Sequence, residues 1–349
     1  MTSEKKKTAC VTGGNGFIAS VLVKQLLEKG YAVNTTVRDP GNNEKTRYLR
    51  QLQSLGELRI FRADLEEEGS FGEAVAGCDY VFLVAAPVNI QSHDPEKELI
   101  KPAVEGTVNV LRSCAKAKTV KRVVLTSSAA GVSINKLEGS GLVLDEGTWS
   151  DLTYLITEKP PTWGYAVSKV LLEKEAFKFA EENKMSLVSV IPTLTMGDPA
   201  SGACHGVMLS LSLLSGNEHM INGLRMMQSL SGSISFTHVD DMCRAHIFVA
   251  EKESAAGRYI CCAVNTSLPE LAGFLSKRYP KYHVPTHFPD LPEKPKLVLS
   301  SEKLMKAGFE FRYKTPEDIY DDVVGFAEAA GLLMSNKERK AYNYSGHAT

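Results

Sequence analysis

The sequence predicts a doubly wound α/β protein: a mostly parallel sheet with helices on both faces, followed by a smaller second lobe. Three observations carry that prediction. Short β-rich runs alternate with segments of helical periodicity through the first half of the chain. The runs are apolar almost throughout, as strands buried on both faces are. The first run passes directly into a glycine-rich turn that opens a helix.

Taken in order, "TACVT" is the first strand, and "SVLVKQLLEKG" is a helix whose apolar residues recur at helical spacing and whose end is marked by Gly30. "YAVNTTVR" is the second strand, followed by a polar helix near residues 42–55. "LRIFRADL", a short helix near "SFGEAVAG", and "DYVFLVAA" come next. A longer helix spans roughly 96–117, and "VKRVVLTSS" is the fifth strand. The helix carrying "TWGYAVSK" runs to about residue 183, and "LVSVIP" is the sixth strand.

After Pro192 the pattern loosens. Residues 194–235 are rich in Gly, Ser and Met, with no clean strand alternation. "SGSISFTHVDDMCRAHIFVAEKE" reads as a strand entering a helix, and "GRYICCA" as another strand. From about residue 265, small helices alternate with Pro-rich turns such as "HVPTHFPDLPEKPK". The expected organisation is a nucleotide-binding domain over 1–193, with a later contribution from about 236–264. A smaller lobe takes 194–235 and 265–332. The tail at 335–349 lacks apolar patterning and is expected to be disordered. The chain has no internal repeat.

Composition narrows the function classes. A formal net charge of −1 leaves no overall field to attract nucleic acid or an anionic membrane. No apolar run reaches the length of a membrane span, and the N-terminus lacks a secretory apolar stretch. Seven cysteines, an odd number without a Cys-x-x-Cys, argue against a disulfide framework or zinc site and for reduced thiols in a cytoplasmic protein. The histidines lack metal-ligand spacing, so no metal is expected; His238 and His246, beside Asp240 and Asp241, read as structural.

"VTGGNGFIAS" has the strand–loop–helix context of a dinucleotide-binding turn. Gly13 and Gly16 permit the tight turn, small Ala19 lets the helix sit against the sheet, and the helix N-terminus offers free N–H groups to a pyrophosphate. The fold expected is therefore Rossmann-type, with ligands at the carboxyl ends of the strands. The second strand ends "VRDP": an arginine suits the 2′-phosphate of NADP, an acidic residue the ribose of NAD. Arg38 comes first and Lys45 can add a cation, so NADP(H) is expected; Asp39 is the competing signal, although Asp-Pro also commonly opens a turn. Asp64 and Leu65, at the end of the third strand, either hold the adenine or, for Asp64, cap the following helix. Val84 and Ala85 end the fourth strand beside the cofactor path.

The pair Tyr165 and Lys169 is four apart on one helical face. A free phenol ionises at about pH 10, too high for proton transfer near neutrality, and a nearby ammonium stabilises the phenolate. With a hydride donor bound, Tyr165 can supply the proton and Lys169 can support it while bonding the nicotinamide ribose. Thr126, Ser127 and Ser128 end the fifth strand. Ser128, furthest past the strand, is the candidate for holding the substrate oxygen, and Thr126 lies along the cofactor. The alternative for these hydroxyls is that they only satisfy loop backbone.

The glycine loop, the strand-end serine, the Tyr-x-x-x-Lys pair and "HVDD" near His238 resemble the extended branch of the short-chain dehydrogenase/reductase superfamily. Over nearly the whole chain, "KKTACVTGGNGFIAS", "YAVNTTVRDP", "IFRADL", "LTSSAA", "KPPTWGYAVSK", "VIPTL" and "HIFVAEKESAAGRYICCA" are similar to the plant flavonoid-reductase group, in particular to its members that reduce anthocyanidins. That resemblance implies NADPH-dependent double reduction of the C-ring of cyanidin, pelargonidin or delphinidin to flavan-3-ols such as epicatechin, which feed proanthocyanidin synthesis. It implies Ser128, Tyr165 and Lys169 as catalytic residues. Cofactor contacts are implied at Gly13, Gly16, Phe17, Ile18, Arg38, Asp64, Leu65, Val84, Ala85, Pro192 and Leu194, and a small flavonoid is implied against Pro87 and Ser133. It also implies a monomer.

The chain departs from the group's pattern at Asn15, where relatives often have Thr, and at Ala86 in "VAAP", which lacks a hydroxyl. Dihydroflavonol reductases usually have Asn at the site of Ser133, and cinnamoyl-CoA reductases a different tyrosine motif; phenylpropanoid aldehyde reductases remain as rivals. Sugar-nucleotide epimerases share the triad but hold NAD, against which Arg38 argues. A non-catalytic relative would have lost the tyrosine or the lysine. Met196, Met208, Met220, Met226 and Met227 either close over a flat aromatic substrate, Met226 and Met227 foremost, or form the core of the second lobe.

Overall fold

The computed structural model describes residues 6–87, 92–136, 142–199, 205–292 and 295–333. Its first half follows the sequence pattern: β1 (Thr8–Val11), α1 (Phe17–Glu28), β2 (Ala32–Val37), α2 (Asn43–Leu52), β3 (Leu58–Arg62), α3 (Gly72–Val75) and β4 (Tyr80–Leu83). A π-helical turn (Glu96–Ile100) then runs straight into α4 (Lys101–Ala117). The helix expected over 96–117 thus changes gauge at its start. Pro102 explains this, because it lacks an N–H and its ring crowds the preceding turn. β5 (Arg122–Thr126), a 3₁₀ turn (Ala129–Gly131), β6 (Val143–Leu144), α5 (Leu152–Glu158), α6 (Trp163–Glu182) and β7 (Leu187–Pro192) follow.

The remainder is β8 (Leu194–Met196), α7 (His205–Ser210), α8 (Ser212–Ser215), α9 (Glu218–Ser231), β9 (Ile234–His238), α10 (Val239–Glu251), β10 (Gly257–Cys261), β11 (Val264–Thr266), α11 (Leu268–Arg278), β12 (Val298–Leu299), α12 (Glu302–Lys306) and α13 (Pro316–Ala329). The tail expected to be disordered lies outside the described residues.

Seven strands form one parallel sheet in the order β10-β7-β5-β4-β1-β2-β3. The order reverses beside β1, the switch point at which ligands of doubly wound sheets bind. One face is covered by α1, α2 and α10, whose Leu22, Leu26, Leu49, Met242 and Val249 join a buried core. The other face is covered by α3, α4 and α6 through Val75, Val110, Leu111, Leu172 and Ala176. The near-continuous apolar strands follow from this double cover.

β8, β9 and β11 form a second, three-stranded sheet, and β6 pairs with β12. A separate core of Met196, Leu214, Leu224, Phe236, Leu271, Tyr320 and Val323 packs there against α9, α11 and α13. The Phe236 and Tyr320 rings meet edge to face, 5.7 Å apart. No described helix is long and apolar enough to cross a membrane.

Candidate active site

The turn after β1 is shaped by close approach. Gly13 has φ +70°, and a Cβ on it would lie 3.0 Å from the Ala85 Cβ. A Cβ on Gly14 would overlap the Thr35 hydroxyl at 2.0 Å. The Thr12 hydroxyl accepts from the amides of Val84 and Ala85, at 3.0 and 2.9 Å, and so joins the end of β4 to the turn. No side chain caps α1 after Gly16, which leaves its first amides open to a ligand. Phe17 and Ile18 are partly buried against the core. Gly14 lies within the Gly13–Phe17 loop expected to hold the cofactor, whereas Thr12 has no signal of its own in the sequence.

Just past β2, Arg38 is exposed and has no hydrogen bond or ion pair with a described residue. Asp39 instead accepts from the Gly41 amide at 2.9 Å, which makes it the turn opener. Arg50 fixes the same loop by donating to the Pro40 carbonyl at 3.1 Å. Lys45 is exposed in the first turn of α2, its amide bonded to the Asn42 side chain. An open helix N-terminus and an unpartnered guanidinium beside it fit a dinucleotide carrying an extra phosphate.

Asp64 accepts from the Glu66 amide at 3.1 Å, which closes a local turn; it does not cap α3, which starts eight residues later after Phe71 with no side-chain cap. The Leu65 carbonyl is braced by Asn109 of α4 at 3.0 Å. Val84, Ala85 and Pro87 are half-buried at the end of β4.

The hydroxyls at the end of β5 divide. His246 Nδ1 lies 2.8 Å from the Met242 carbonyl and must donate to it, so Nε2 is the acceptor and Thr126 donates to that nitrogen at 2.8 Å. Burial lowers the His246 pKa from 6.5 to about 4, which keeps the ring neutral. The Thr126 proton is therefore directed into the fold, although a cofactor contact is expected there from the sequence. Ser127 donates to Glu173 at 2.8 Å. Ser128 is half-buried; its oxygen accepts from the Ala130 amide at 3.2 Å, which leaves the hydroxyl proton available. Ser133 donates to the Ala129 carbonyl at 2.9 Å.

On α6, Tyr165 is half-buried and Lys169 is 4% exposed. The Lys169 ammonium lies 5.5 Å from the centre of the Tyr165 ring. Neither polar tip has a hydrogen bond to a described residue. The turn after Ser128 abuts this point: a Cβ on Gly131 would lie 3.6 Å from the Lys169 Cβ. The helix start is tightly set. Thr162 adopts φ +62°, rare for a β-branched residue, and a Cβ on Gly164 would lie 2.3 Å from Pro95.

Pro192 ends β7 and is buried, while Leu194 is half-buried against the second core. Met196 lies fully in that core, and Met220 and Met227 pack against it. Met208 and Met226 are half-buried outside it, so the core reading holds for Met196, Met220 and Met227. His238 is structural: its Nδ1 accepts from the Asp240 amide, its Nε2 donates to Asp322 at 2.9 Å, and its ring stacks on Tyr313 at 3.6 Å. Among the described residues no group of His, Cys, Asp and Glu converges as a metal site would require.

Known proteins are similar to this chain in sequence and fold. Residues 9–262 match the model of the NAD dependent epimerase/dehydratase family. An anthocyanidin reductase ((2S)-flavan-3-ol-forming) of Vitis vinifera is 61% identical over 331 residues, covering 95% of this chain and 98% of that one. A dihydroflavonol 4-reductase of Gerbera hybrida is 41% identical over 336 residues, with 95% and 89% covered. Vestitone reductase from alfalfa superposes with a TM-score of 0.79 at 35% identity, over 94% of this chain and all of that one. Gre2 of Candida albicans in complex with NADPH gives 0.78 at 26% identity, over 93% and 99%.

Proposed function

The chain belongs to the NAD dependent epimerase/dehydratase family, in its anthocyanidin reductase group, and on that premise we propose that it reduces anthocyanidins to flavan-3-ols with NADPH. The observation that carries this reading is a buried, unpartnered lysine beside a tyrosine on α6, in a chain far more similar to anthocyanidin reductases than to dihydroflavonol reductases.

A flavylium cation becomes a neutral flavan-3-ol by taking up two hydrides and one proton. The cofactor supplies hydride; the chain's own groups bind, orient and protonate. The open amides of α1 with Gly13 and Gly16 take the pyrophosphate, and Arg38 with Lys45 takes the 2′-phosphate. Asp64 and Leu65 flank the adenine, and Val84, Ala85, Pro192 and Leu194 border the path to the nicotinamide. Lys169 bonds the ribose and its charge favours the phenolate that Tyr165 becomes on releasing its proton. Ser128 donates its free hydroxyl proton to the substrate oxygen. Pro87, Ser133, Met226 and Met227 line the flavonoid.

The separate cores support assigning cofactor binding to residues 1–193 and 236–264, and substrate enclosure to 194–235 and 265–332. The six described cysteines are unpaired thiols, which supports a reducing, cytoplasmic setting.

The test is NADPH oxidation with cyanidin beside dihydroquercetin and an aromatic aldehyde, with products separated by chromatography. Cyanidin-dependent oxidation yielding a flavan-3-ol is expected. Turnover of only the dihydroflavonol or the aldehyde would transfer the substrate assignment to a sister group.

A further inference from the structure

We propose that the buried Glu173–Arg258 pair positions Ser128 against Tyr165 and Lys169, acting through Ser127 and Ser150. The inference rests on reading Ser128, Tyr165 and Lys169 as the reacting groups. Those groups come from two elements, a strand end and a helix, so their spacing depends on what ties β5 to α6.

Glu173 lies one helical turn beyond Lys169 on the same face of α6 and is fully buried. Arg258 reaches it from β10, with Nε 3.0 Å from Oε1 and Nη2 3.3 Å from Oε2. Ser127, adjacent to Ser128, donates to Oε2 at 2.8 Å. This is a direct side-chain link from the catalytic end of the strand to the catalytic helix.

A second route leaves from the same guanidinium. Arg258 Nη1 donates to the carbonyls of Glu146 and Thr148, at 2.9 and 2.6 Å, and the guanidinium lies 3.6 Å from the centre of the Trp149 ring. Two residues beyond Thr148, Ser150 donates through its hydroxyl to the Ala130 carbonyl at 2.8 Å and accepts from the Ile134 amide at 2.9 Å. The Ser150 amide donates to the Gly131 carbonyl at 2.9 Å. One ion pair therefore restrains the turn that carries Ser128 and Ser133 from both sides.

Stability alone does not call for such a pair. Two charges taken out of water are often replaceable by apolar residues of similar volume without loss. What an ion pair adds is directed, multiply bonded geometry. Here its bonds end on the turn holding Ser128, and the pair itself touches none of the proposed reacting atoms. Glu173, Arg258, Ser127 and Ser150 are positioning residues.

The experiment is a double-mutant cycle of Ser127→Ala and Ser128→Ala, read as kcat for cyanidin reduction. Ser127→Ala cuts the strand link but leaves both Glu173 oxygens bonded to Arg258. We expect it to lower kcat about 10-fold while NADPH affinity stays within about 2-fold. In a Ser128→Ala background the same change should cost less than about 2-fold, because the group it positions is gone. Equal losses in both backgrounds would overturn the positioning role alone. A chain indifferent to Ser128→Ala would overturn the underlying reading and this inference with it. Should Ser127→Ala fail to fold, Ser150→Ala cuts the second route and enters the same cycle.

Discussion

Arg38 and Arg258 carry the same guanidinium into opposite surroundings. Arg38, past the end of β2, is exposed and bonds no described residue. Arg258, inside β10, is buried, with Nε and both Nη atoms engaged by Glu173 and two carbonyls. The same division separates Lys169 and Ser128, which keep protons or lone pairs in reserve, from Thr126, Ser127 and Ser133, whose protons are spent on protein acceptors. On the proposed function, the polar groups left free are the binding groups and the saturated ones hold them in place.

That division can be broken from the saturated side first. Replacing Arg258 with Met should destabilise the protein by about 3–5 kcal/mol, since it leaves the Glu173 carboxylate buried without its partner. Replacing both residues with Met should recover much of that loss. Urea unfolding of the two variants distinguishes a pair whose members need each other from two independent contacts.

His246 is the next lever. The folded protein keeps its ring neutral, with a pKa lowered from 6.5 to about 4 by burial, whereas the unfolded chain takes up a proton below 6.5. Its contribution is complete above pH 6.5 and is lost as pH falls toward 4, amounting to roughly 3 kcal/mol across that window. His246→Asn should flatten the fall in unfolding free energy between pH 6.5 and 4. An unchanged slope would mean that the ring is not held neutral.

The smallest effect belongs to the free side. Arg38→Ala should weaken NADPH binding about 10- to 100-fold, as expected for losing hydrogen bonds to a charged phosphate, and leave NADH nearly unaffected. Fluorescence titration with both cofactors measures it. Equal weakening of the two would refute the 2′-phosphate role of Arg38.

What the sequence reveals follows the same line. The parallel strands, the glycine turn and the Tyr165–Lys169 pair are local patterns, and each lies where periodicity and spacing put it. Sequence gave no sign of the Glu173–Arg258 pair, whose members are 85 residues apart and whose meaning depends on β10 reaching the sheet beside β7. β8, with three residues, and β6 and β12, with two each, are too short for an alternation to register. The wide turn before α4 was hidden for a different reason, because Pro102 within a helical pattern reads equally well as an ordinary first-turn proline. At Thr126, position at a strand end suggests a ligand contact, while its bond to His246, 120 residues on, is visible only in the packed structure.

The most direct measurement is kcat of Tyr165→Phe with cyanidin and NADPH, taken together with the NADPH dissociation constant. Phenylalanine keeps the ring under the Lys169 ammonium and removes only the hydroxyl. Turnover should fall by about 10²- to 10⁴-fold while NADPH binding stays within about 2-fold. Turnover within about 2-fold of the parent would remove Tyr165 as the proton donor and contradict the account.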